Sequence, residues 1–128
     1  MGQTCAAKCR ECGAEFELSD GGGFFFHLLR CDRCGKTKSI SFDKLGDLHL
    51  RYVKGLDVPY SSASWEFDKS VQRNYPGEPI SEAEYHQEIE KLLHKCRCGG
   101  RYRFDAPPRC PRCRSPEVEE GEINVLYD

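Results

Sequence analysis

The amino-acid sequence predicts a small metal-stabilised fold of the α+β class, mostly β-strands with one or two helices. Nine of the 128 residues are cysteines, and eight of these stand in closely spaced pairs. The mean hydropathy is -0.67 and 31% of the residues are charged, so one large apolar core is not expected. Short segments of alternating apolar and polar residues lie beside the cysteine pairs. A small domain with so little apolar material usually folds around metal ions or disulfides.

The first unit of this fold is expected over residues 1–42, which hold two cysteine pairs in the pattern C-x2-C-x18-C-x2-C. "AEFELS" alternates as a half-buried strand does, and "FFFHLLR" is an apolar strand candidate. Between them Asp20–Gly23 is a turn sequence, so the two segments are predicted to form a hairpin. "TKSISF" alternates again and is predicted to add a third strand.

A connecting segment is expected over residues 43–94, with one well-marked helix over about 81–95. Ser81 is followed three residues later by Glu84, the pattern of a capping box. An apolar stripe runs along one face of this helix at Tyr85, Ile89, Leu92 and Leu93.

Two other parts of the connecting segment are harder to assign. Residues 43–54 have the composition of a second helix, which Gly46 weakens. Residues 56–79 are predicted to be irregular. Their aromatic stretch around Trp65 is expected to form a small core under helix 81–95; the alternative is a patch for a binding partner.

The last unit is expected over residues 95–128, with cysteines in the pattern C-x-C-x11-C-x2-C. "GRYRFD" alternates arginines with aromatic residues and predicts a strand, "APPR" predicts a turn, and "EINVLYD" predicts a closing strand.

The cysteine pairs are predicted to form two metal sites, each closed by neighbouring pairs, because the stretch from Gly35 to Lys95 contains no cysteine. Four thiolates favour zinc in closed tetrahedral coordination, which is a structural role, so two Zn²⁺ ions are expected. The predicted sites are Cys9, Cys12, Cys31 and Cys34 for the first ion, and Cys96, Cys98, Cys110 and Cys113 for the second. Cys5 is expected to be a spare residue in a frayed N-terminus; the alternatives are a reactive thiol or an alternate ligand.

The segments "CRECG…CDRCGK" and "CRCGG…CPRCRS" resemble the knuckles of the zinc-ribbon superfamily. The resemblance covers about 34 residues at each end and implies a three-stranded ribbon around each zinc. Arg114 stands where the superfamily usually has a glycine, and the acidic pair found at some hairpin tips is absent. Because zinc ribbons serve many functions, the fold does not choose one. The knuckles also resemble rubredoxin, so an electron-transferring iron is a further alternative.

The region 95–116 carries seven Lys and Arg residues against one acid. Such a basic ribbon is a candidate for phosphate contacts. The candidate nucleic-acid-binding residues are Arg97, Arg101, Arg103, Arg109, Arg112 and Arg114. Alternatively, Glu117 to Glu122 lie alongside strand 101–105 and neutralise its two arginines. The pI of about 6.1 also disfavours nucleic acid.

No catalytic residues are predicted, since no serine, histidine or carboxylate stands in a recognisable catalytic motif and the histidines lack metal-ligand spacing. The sequence therefore favours a non-catalytic module that acts as a protein-protein adaptor or regulatory subunit, with nucleic-acid binding as the alternative. It shows no N-terminal apolar leader and no apolar run of bilayer length, so a cytoplasmic location without membrane contact is expected. The oligomeric state is left open.

Overall fold

The structure is a computed structural model that describes residues 2–127. The predicted α+β class is confirmed, with six strands in two sheets and four helices over this range. In chain order the elements are β1 Gly2–Cys9, β2 Glu15–Asp20, β3 Phe26–Cys31, β4 Thr37–Ser41, α1 Phe42–Leu45, α2 Asp47–Lys54, α3 Trp65–Asn74, α4 Glu82–Leu92, β5 Tyr102–Arg103 and β6 Val118–Tyr127.

The first sheet joins the two ends of the described chain. Its order is β2-β1-β6, and both pairings are antiparallel. Lys8 lies opposite Glu15 on one side of β1, and Cys9 lies opposite Val118 on the other. The buried face of this sheet is small and consists of Cys5, Ala7 and Leu18.

The second sheet has the order β4-β3-β5 and is also antiparallel. Phe26 lies opposite Ser41, which confirms "TKSISF" as a strand beside "FFFHLLR". The short strand β5 meets β3 with Tyr102 opposite Cys31. The main core lies between this sheet and the helices and contains Leu29, Ile40, Leu45, Ile80, Tyr85 and Ile89.

The predicted hairpin between residues 15–20 and 24–30 is wrong. β2 pairs with β1, and β3 pairs with β4, so the two segments lie in different sheets. The chain instead reverses at the cysteine knuckles, which join β1 to β2 and β3 to β4. Asp20–Gly23 carries the chain from one sheet to the other, with Gly21 at φ +83°. Alternation identifies a strand but does not name its partner, which is why the sequence misled.

The predicted helix at 81–95 is confirmed over Glu82–Leu92. The Ser81 hydroxyl accepts a hydrogen bond from the Glu84 backbone N–H at 3.2 Å, as a capping box requires. Tyr85 and Ile89 are fully buried.

The remaining helical predictions are partly right. Residues 43–54 are helical but divide into α1 and α2 at Gly46, whose φ is +55°. The prediction that residues 56–79 are irregular is wrong for α3, Trp65–Asn74. This helix buries only two side chains, Asp68 and Val71, so its apolar pattern was too sparse to reveal it.

A buried arginine ties the sheets to the C-terminal region. Arg30 on β3 is 8% exposed, and its guanidinium donates to the carbonyl of Ser19 on β2 at 2.7 Å. It also donates to the carbonyl of Ala106 at 3.3 Å and lies 3.9 Å from the Asp20 carboxylate. The Arg30 side chain therefore links the first sheet, the second sheet and the segment that precedes the last cysteine pair.

Each sheet combines two strands from residues 1–42 with one from residues 95–128. The predicted division of the chain into residues 1–42, 43–94 and 95–128 is a statement about which segments fold independently. Strand pairing does not test it, and it stays a prediction. Among the described residues, no helix has both the length and the apolar character needed to cross a membrane.

Candidate metal centres

Each cysteine pair lies in a tight turn that points backbone N–H groups at a sulfur. Donor–sulfur distances of 3.4 Å recur in all four turns, from Cys12 to Cys9, Arg33 to Cys31, Gly100 to Cys98 and Arg112 to Cys110. Every turn also contains a residue with positive φ, at Gly13 (76°), Gly35 (78°), Gly99 (92°) and Arg114 (65°). Arg114 thus adopts the backbone conformation of the glycine whose place it takes.

The structure brings all eight predicted ligands into two four-cysteine groups, but the predicted pairing is wrong. One group contains Cys9, Cys12, Cys110 and Cys113, and the other contains Cys31, Cys34, Cys96 and Cys98. We call the first group the outer centre and the second group the inner centre, because all four cysteines of the second group lie between Cys12 and Cys110 in the sequence. Each centre takes one knuckle from each half of the chain.

Strand pairing explains this nested arrangement. β6 runs antiparallel to β1 and begins opposite Cys9, so the knuckle just before β6 lies beside the first knuckle. β5 begins opposite Cys31, which places the knuckle just before β5 beside the second. Each centre therefore sits at the end of its own three-stranded sheet, as the zinc-ribbon resemblance implies, but the third strand comes from the far end of the chain.

The sulfur positions fit a tetrahedral metal ion. A metal–sulfur bond of about 2.3 Å in tetrahedral coordination separates the sulfurs by about 3.8 Å. All four sulfurs of each centre lie within 4.8 Å of one another. The closest sulfur–sulfur distances between the two knuckles of a centre are 3.4 and 3.6 Å in the inner centre. In the outer centre both are 3.5 Å. A disulfide sulfur–sulfur bond is about 2.05 Å, so these are separate thiols.

Hydrogen bonds in the turns lower the pKa of some of the cysteine thiols, whereas burial and neighbouring sulfurs raise that of others. A backbone hydrogen bond from Cys98 and a side-chain hydrogen bond from Tyr102 lower the pKa of Cys96 to about 6. Backbone hydrogen bonds from Cys113 and Arg112 lower the pKa of Cys110 to about 6. In contrast, burial and the neighbouring sulfurs raise the pKa of Cys34 to about 12. A cation is needed to hold four negative sulfurs together, so the two groups could bind metal ions.

Glycines allow close packing both between the two centres and within the inner one. A Cβ on Gly35 would lie 2.8 Å from the Cβ of Arg109, and one on Gly100 would lie 2.5 Å from the Cys31 sulfur. Arg109 bridges the centres by donating to the carbonyls of Asp32 at 3.1 Å and Arg114 at 3.0 Å. A side chain at Gly35 would therefore force the two centres apart, and one at Gly100 would force apart the two knuckles of the inner centre.

Cys5 belongs to neither group, and the prediction of a frayed N-terminus around it is wrong. It lies in β1, is 4% exposed and packs in the small core of the first sheet. Burial raises the pKa of its thiol, which makes it less reactive.

The six candidate arginines do not form one surface. Arg103 pairs with Asp32 at 3.1 Å, and Arg109 is occupied by the two carbonyls that it bridges. Arg101 lies in a shallow groove beside α4, and Arg112 is exposed at the outer centre. The alternative that Glu117 to Glu122 neutralise strand 101–105 is wrong, because these glutamates lie beside β1.

The remaining two candidates, Arg97 and Arg114, line a cleft of about 730 Å³ beside the inner centre. Three further exposed cations line it, namely Lys36, Lys38 and Lys95. None of the five cations has a carboxylate partner among residues 2–127, and no acid lines the cleft. We call this surface the basic cleft. Sequence reasoning missed its lysines because they come together only through the inner centre.

Sequence reasoning also missed a buried histidine–tyrosine cluster. The hydroxyl of Tyr85 lies 2.8 Å from His27 Nε2 and 2.8 Å from His49 Nδ1. Burial lowers the pKa of His27 to about 3 and that of His49 to about 4, so both are uncharged at neutral pH. Nothing in the spacing of the three residues along the chain signals this contact.

The aromatic segment around Trp65 does not form a core under α4. Trp65 begins α3 and is 45% exposed, and Phe67 is 59% exposed. The residues packed on Tyr85 and Ile89 come mainly from the second sheet and α1. The prediction is therefore wrong for Trp65 and Phe67. Tyr60 of the same stretch does pack inside, with its ring centroid 5.2 Å from that of Phe42 and 6.1 Å from that of His49. The alternative of a binding patch stays a prediction.

A family model with the description "Domain of unknown function (DUF8255)" matches residues 5–119, a range that includes all eight cysteines of the two centres. No curated protein and no solved structure matches the chain.

Proposed function

The chain belongs to this family of unknown function, and we propose that it is a non-catalytic adaptor or regulatory subunit built on two structural zinc ions. Four-thiolate geometry at both centres supports zinc in a closed shell without an open position for substrate. Metal analysis of the purified protein tests the ion. A colourless protein with about two zincs is expected, whereas a red protein containing iron would favour electron transfer instead.

The observation that supports a protein partner is the outer edge of β6. This ten-residue strand lies at the edge of its sheet, so within residues 2–127 the backbone groups on its free side have no strand partner. Its first half carries three glutamates, at positions 119, 120 and 122, and charged side chains on an edge strand oppose pairing with another strand. Its second half exposes Ile123 (55%), Val125 (54%) and Leu126 (73%). An unguarded apolar edge is the kind of surface to which a strand of a partner adds.

A matched pair of variants tests this edge. Wild-type protein is crosslinked in lysate of its source cells, and the captured protein is purified and titrated against the adaptor. We expect Leu126→Lys to abolish binding and Val58→Lys, which changes another exposed aliphatic residue (64%), to leave it intact. Equal binding by both variants would contradict the role of β6. Self-association of the purified chain that Leu126→Lys abolishes would identify a second copy as the partner.

The basic cleft favours nucleic acid as a second candidate function. Its five cations line one cleft and have no carboxylate partner in the described part of the chain, so they are free to contact phosphates. Tyr102, half-buried in the wall, offers an aromatic ring beside them.

The second candidate is tested by fluorescence anisotropy of zinc-loaded protein with labelled single- and double-stranded DNA and RNA. Affinity should fall by orders of magnitude between about 50 and 200 mM salt if several phosphates are contacted. Lys36→Glu with Lys38→Glu should abolish binding, while Lys44→Glu with Lys69→Glu, the same charge change outside the cleft, should largely preserve it. Absence of binding at low salt would dismiss this function.

A further inference from the structure

A second cavity, opposite in charge to the basic cleft, lies where the start of β3, the α1–α2 junction and α3 meet. It has a volume of about 450 Å³. Its walls include three phenyl rings, those of Phe25, Phe42 and Phe67. Phe25 is 58% exposed and Phe67 is 59% exposed. Two large apolar side chains at the surface beside a cavity indicate a contact that the isolated chain does not make.

Three carboxylates line the same cavity, and no lysine or arginine does. They belong to Asp43, Asp47 and Asp68. Asp68 is only 1% exposed, and one of its oxygens accepts hydrogen bonds from the Tyr60 backbone N–H at 2.8 Å and the Ser64 hydroxyl at 2.7 Å. No basic side chain among residues 2–127 lies within 4.0 Å of the Asp68 carboxyl group, so its only polar contacts are these two donors.

His49 is the independent observation that points to a ligand. It lines the cavity, is 6% exposed, and uses Nδ1 for its contact with Tyr85. Its Nε2 has no hydrogen-bond partner within the part of the chain that the structure describes. Among the described residues, Arg30 Nε is the buried side-chain polar atom without a partner, so the free Nε2 of His49 is not sealed off and can be reached by a ligand group in the cavity.

The tyrosine contact allows His49 to act as a hydrogen-bond acceptor. A hydroxyl donates one hydrogen, so when Tyr85 donates to His27, His49 donates to Tyr85 through Nδ1. In that tautomer Nε2 carries a lone pair and accepts from a ligand N–H. The lowered pKa of His49 keeps the ring neutral, so it does not repel a cation.

We propose that this acidic, aromatic cavity binds the ammonium group of a lysine side chain on a protein partner, in a segment that places apolar residues beside the lysine. An ammonium supplies three N–H donors for the carboxylates and His49, and phenyl faces attract cations. A small free amine would leave the phenyl rings of Phe25 and Phe67 in water, whereas apolar neighbours of the lysine cover them. This inference rests on the proposed protein-binding function, and it specifies a site separate from β6.

Isothermal titration of the zinc-loaded protein with the peptide acetyl-Ala-Leu-Lys-Leu-Ala-amide tests the proposal. The control peptide carries norleucine in place of lysine, which keeps the apolar stem and removes the charge. The lysine peptide is expected to bind at least about tenfold more tightly, since one cation–π contact with ion pairing contributes roughly that factor. Equal binding of the two peptides, or binding of neither, overturns the proposal.

Variants locate the binding. Asp43→Asn with Asp47→Asn keeps the side-chain shape and an acceptor oxygen but removes two charges, and it should weaken lysine-peptide binding at least about tenfold. Asp57→Asn with Asp105→Asn removes two exposed acids outside the cavity and should leave affinity unchanged. Unchanged affinity in the first pair overturns the assignment of the cavity.

Two further titrations distinguish a peptide partner from a small amine, and failure of the cavity proposal from failure of the β6 proposal. Butylammonium chloride is titrated alone, and binding as tight as that of the peptide overturns the peptide partner in favour of a small amine. Leu126→Lys is titrated with the lysine peptide and should bind it like the wild type. If β6 proves to have no partner, this arm still supports the cavity, and if the cavity fails, the test of β6 stands.

Discussion

Replacing Cys110 by serine tests the nested pairing of the cysteines most directly. Cys110 is fully buried, its sulfur lies 3.5 Å from that of Cys12, and it accepts hydrogen bonds from the backbone N–H groups of Arg112 and Cys113. The substitution removes one of the four ligands of the outer centre. The inner centre shares no ligand with it and has the main core beside it, so we expect it to keep its metal.

The size of the effect follows from the number of ligands. Structural zinc in peptides is bound with about 10–16 kcal/mol, so an equal share for one of four thiolates is about 3–4 kcal/mol. That loss lowers affinity by roughly 10²–10³-fold, enough for a mild chelator to empty one centre and leave the other filled. Metal content should fall from about two ions per chain to about one.

Alkylation of the native protein with iodoacetamide, followed by peptide mapping, identifies the released cysteines. In Cys110→Ser we expect the other three ligands of the outer centre to react, namely Cys9, Cys12 and Cys113. All four ligands of the inner centre should stay protected. Reaction of Cys96 and Cys98 with protection of Cys9 and Cys12 would refute the nested pairing and restore pairing by chain order. Cys5→Ser, a buried non-ligand, is the control and should retain both ions.

Three further predictions concern stability. Tyr85→Phe leaves two buried histidine nitrogens without their shared hydroxyl, so the free energy of unfolding should fall by about 2–4 kcal/mol. Urea unfolding of the metal-loaded protein measures this change, and unchanged stability would contradict the cluster. The pKa values of His27 and His49 lie below the unfolded value of about 6.5, so as the pH falls the unfolded chain takes up protons first. The stability that their burial contributes is therefore complete above pH 6.5 and is lost below it, by about 2 kcal/mol per histidine at pH 5. His27→Gln should show a smaller loss between pH 7 and pH 5 than the wild type, and an identical loss would exclude this cause. Arg114→Gly removes a side chain from a residue with φ 65°, so the free energy of unfolding should increase by about 1 kcal/mol and the melting temperature should rise. The same variant should weaken any oligonucleotide binding at the basic cleft. A lower melting temperature would show that the backbone there is unstrained.

Two kinds of local feature, the cysteine turns and the capped helix, were predicted correctly. The eight cysteines that form the centres are recognisable because a knuckle is a turn of a few residues with its own spacing and its own positive-φ position. The helix at Glu82–Leu92 is recognisable because its cap, at Ser81 and Glu84, lies within one turn of its start. In both cases the residues that decide the structure are neighbours in the chain.

The pairing of the knuckles could not be predicted from spacing. Closing the chain between Cys12 and Cys110, 98 positions apart, costs only about 1.5 kcal/mol more than closing the 19 positions between Cys12 and Cys31. That difference is small beside the binding free energy of a structural zinc, about 10–16 kcal/mol. Chain distance is therefore a weak guide to which cysteines share an ion, and strand pairing decides instead.

Local sequence patterns are enough to identify the eight cysteines of the two groups, the capped helix and the α+β class. The tertiary structure, in contrast, sets which cysteines share a centre. It also decided that Lys36 and Lys38 lie beside Arg97, and that His27 and His49 share one tyrosine. All these contacts join residues far apart in the chain. The cysteine groups and the basic cleft form because β5 and β6 pair with strands from the first third of the sequence. The two histidines meet Tyr85 because α2 and α4 pack together beside β3.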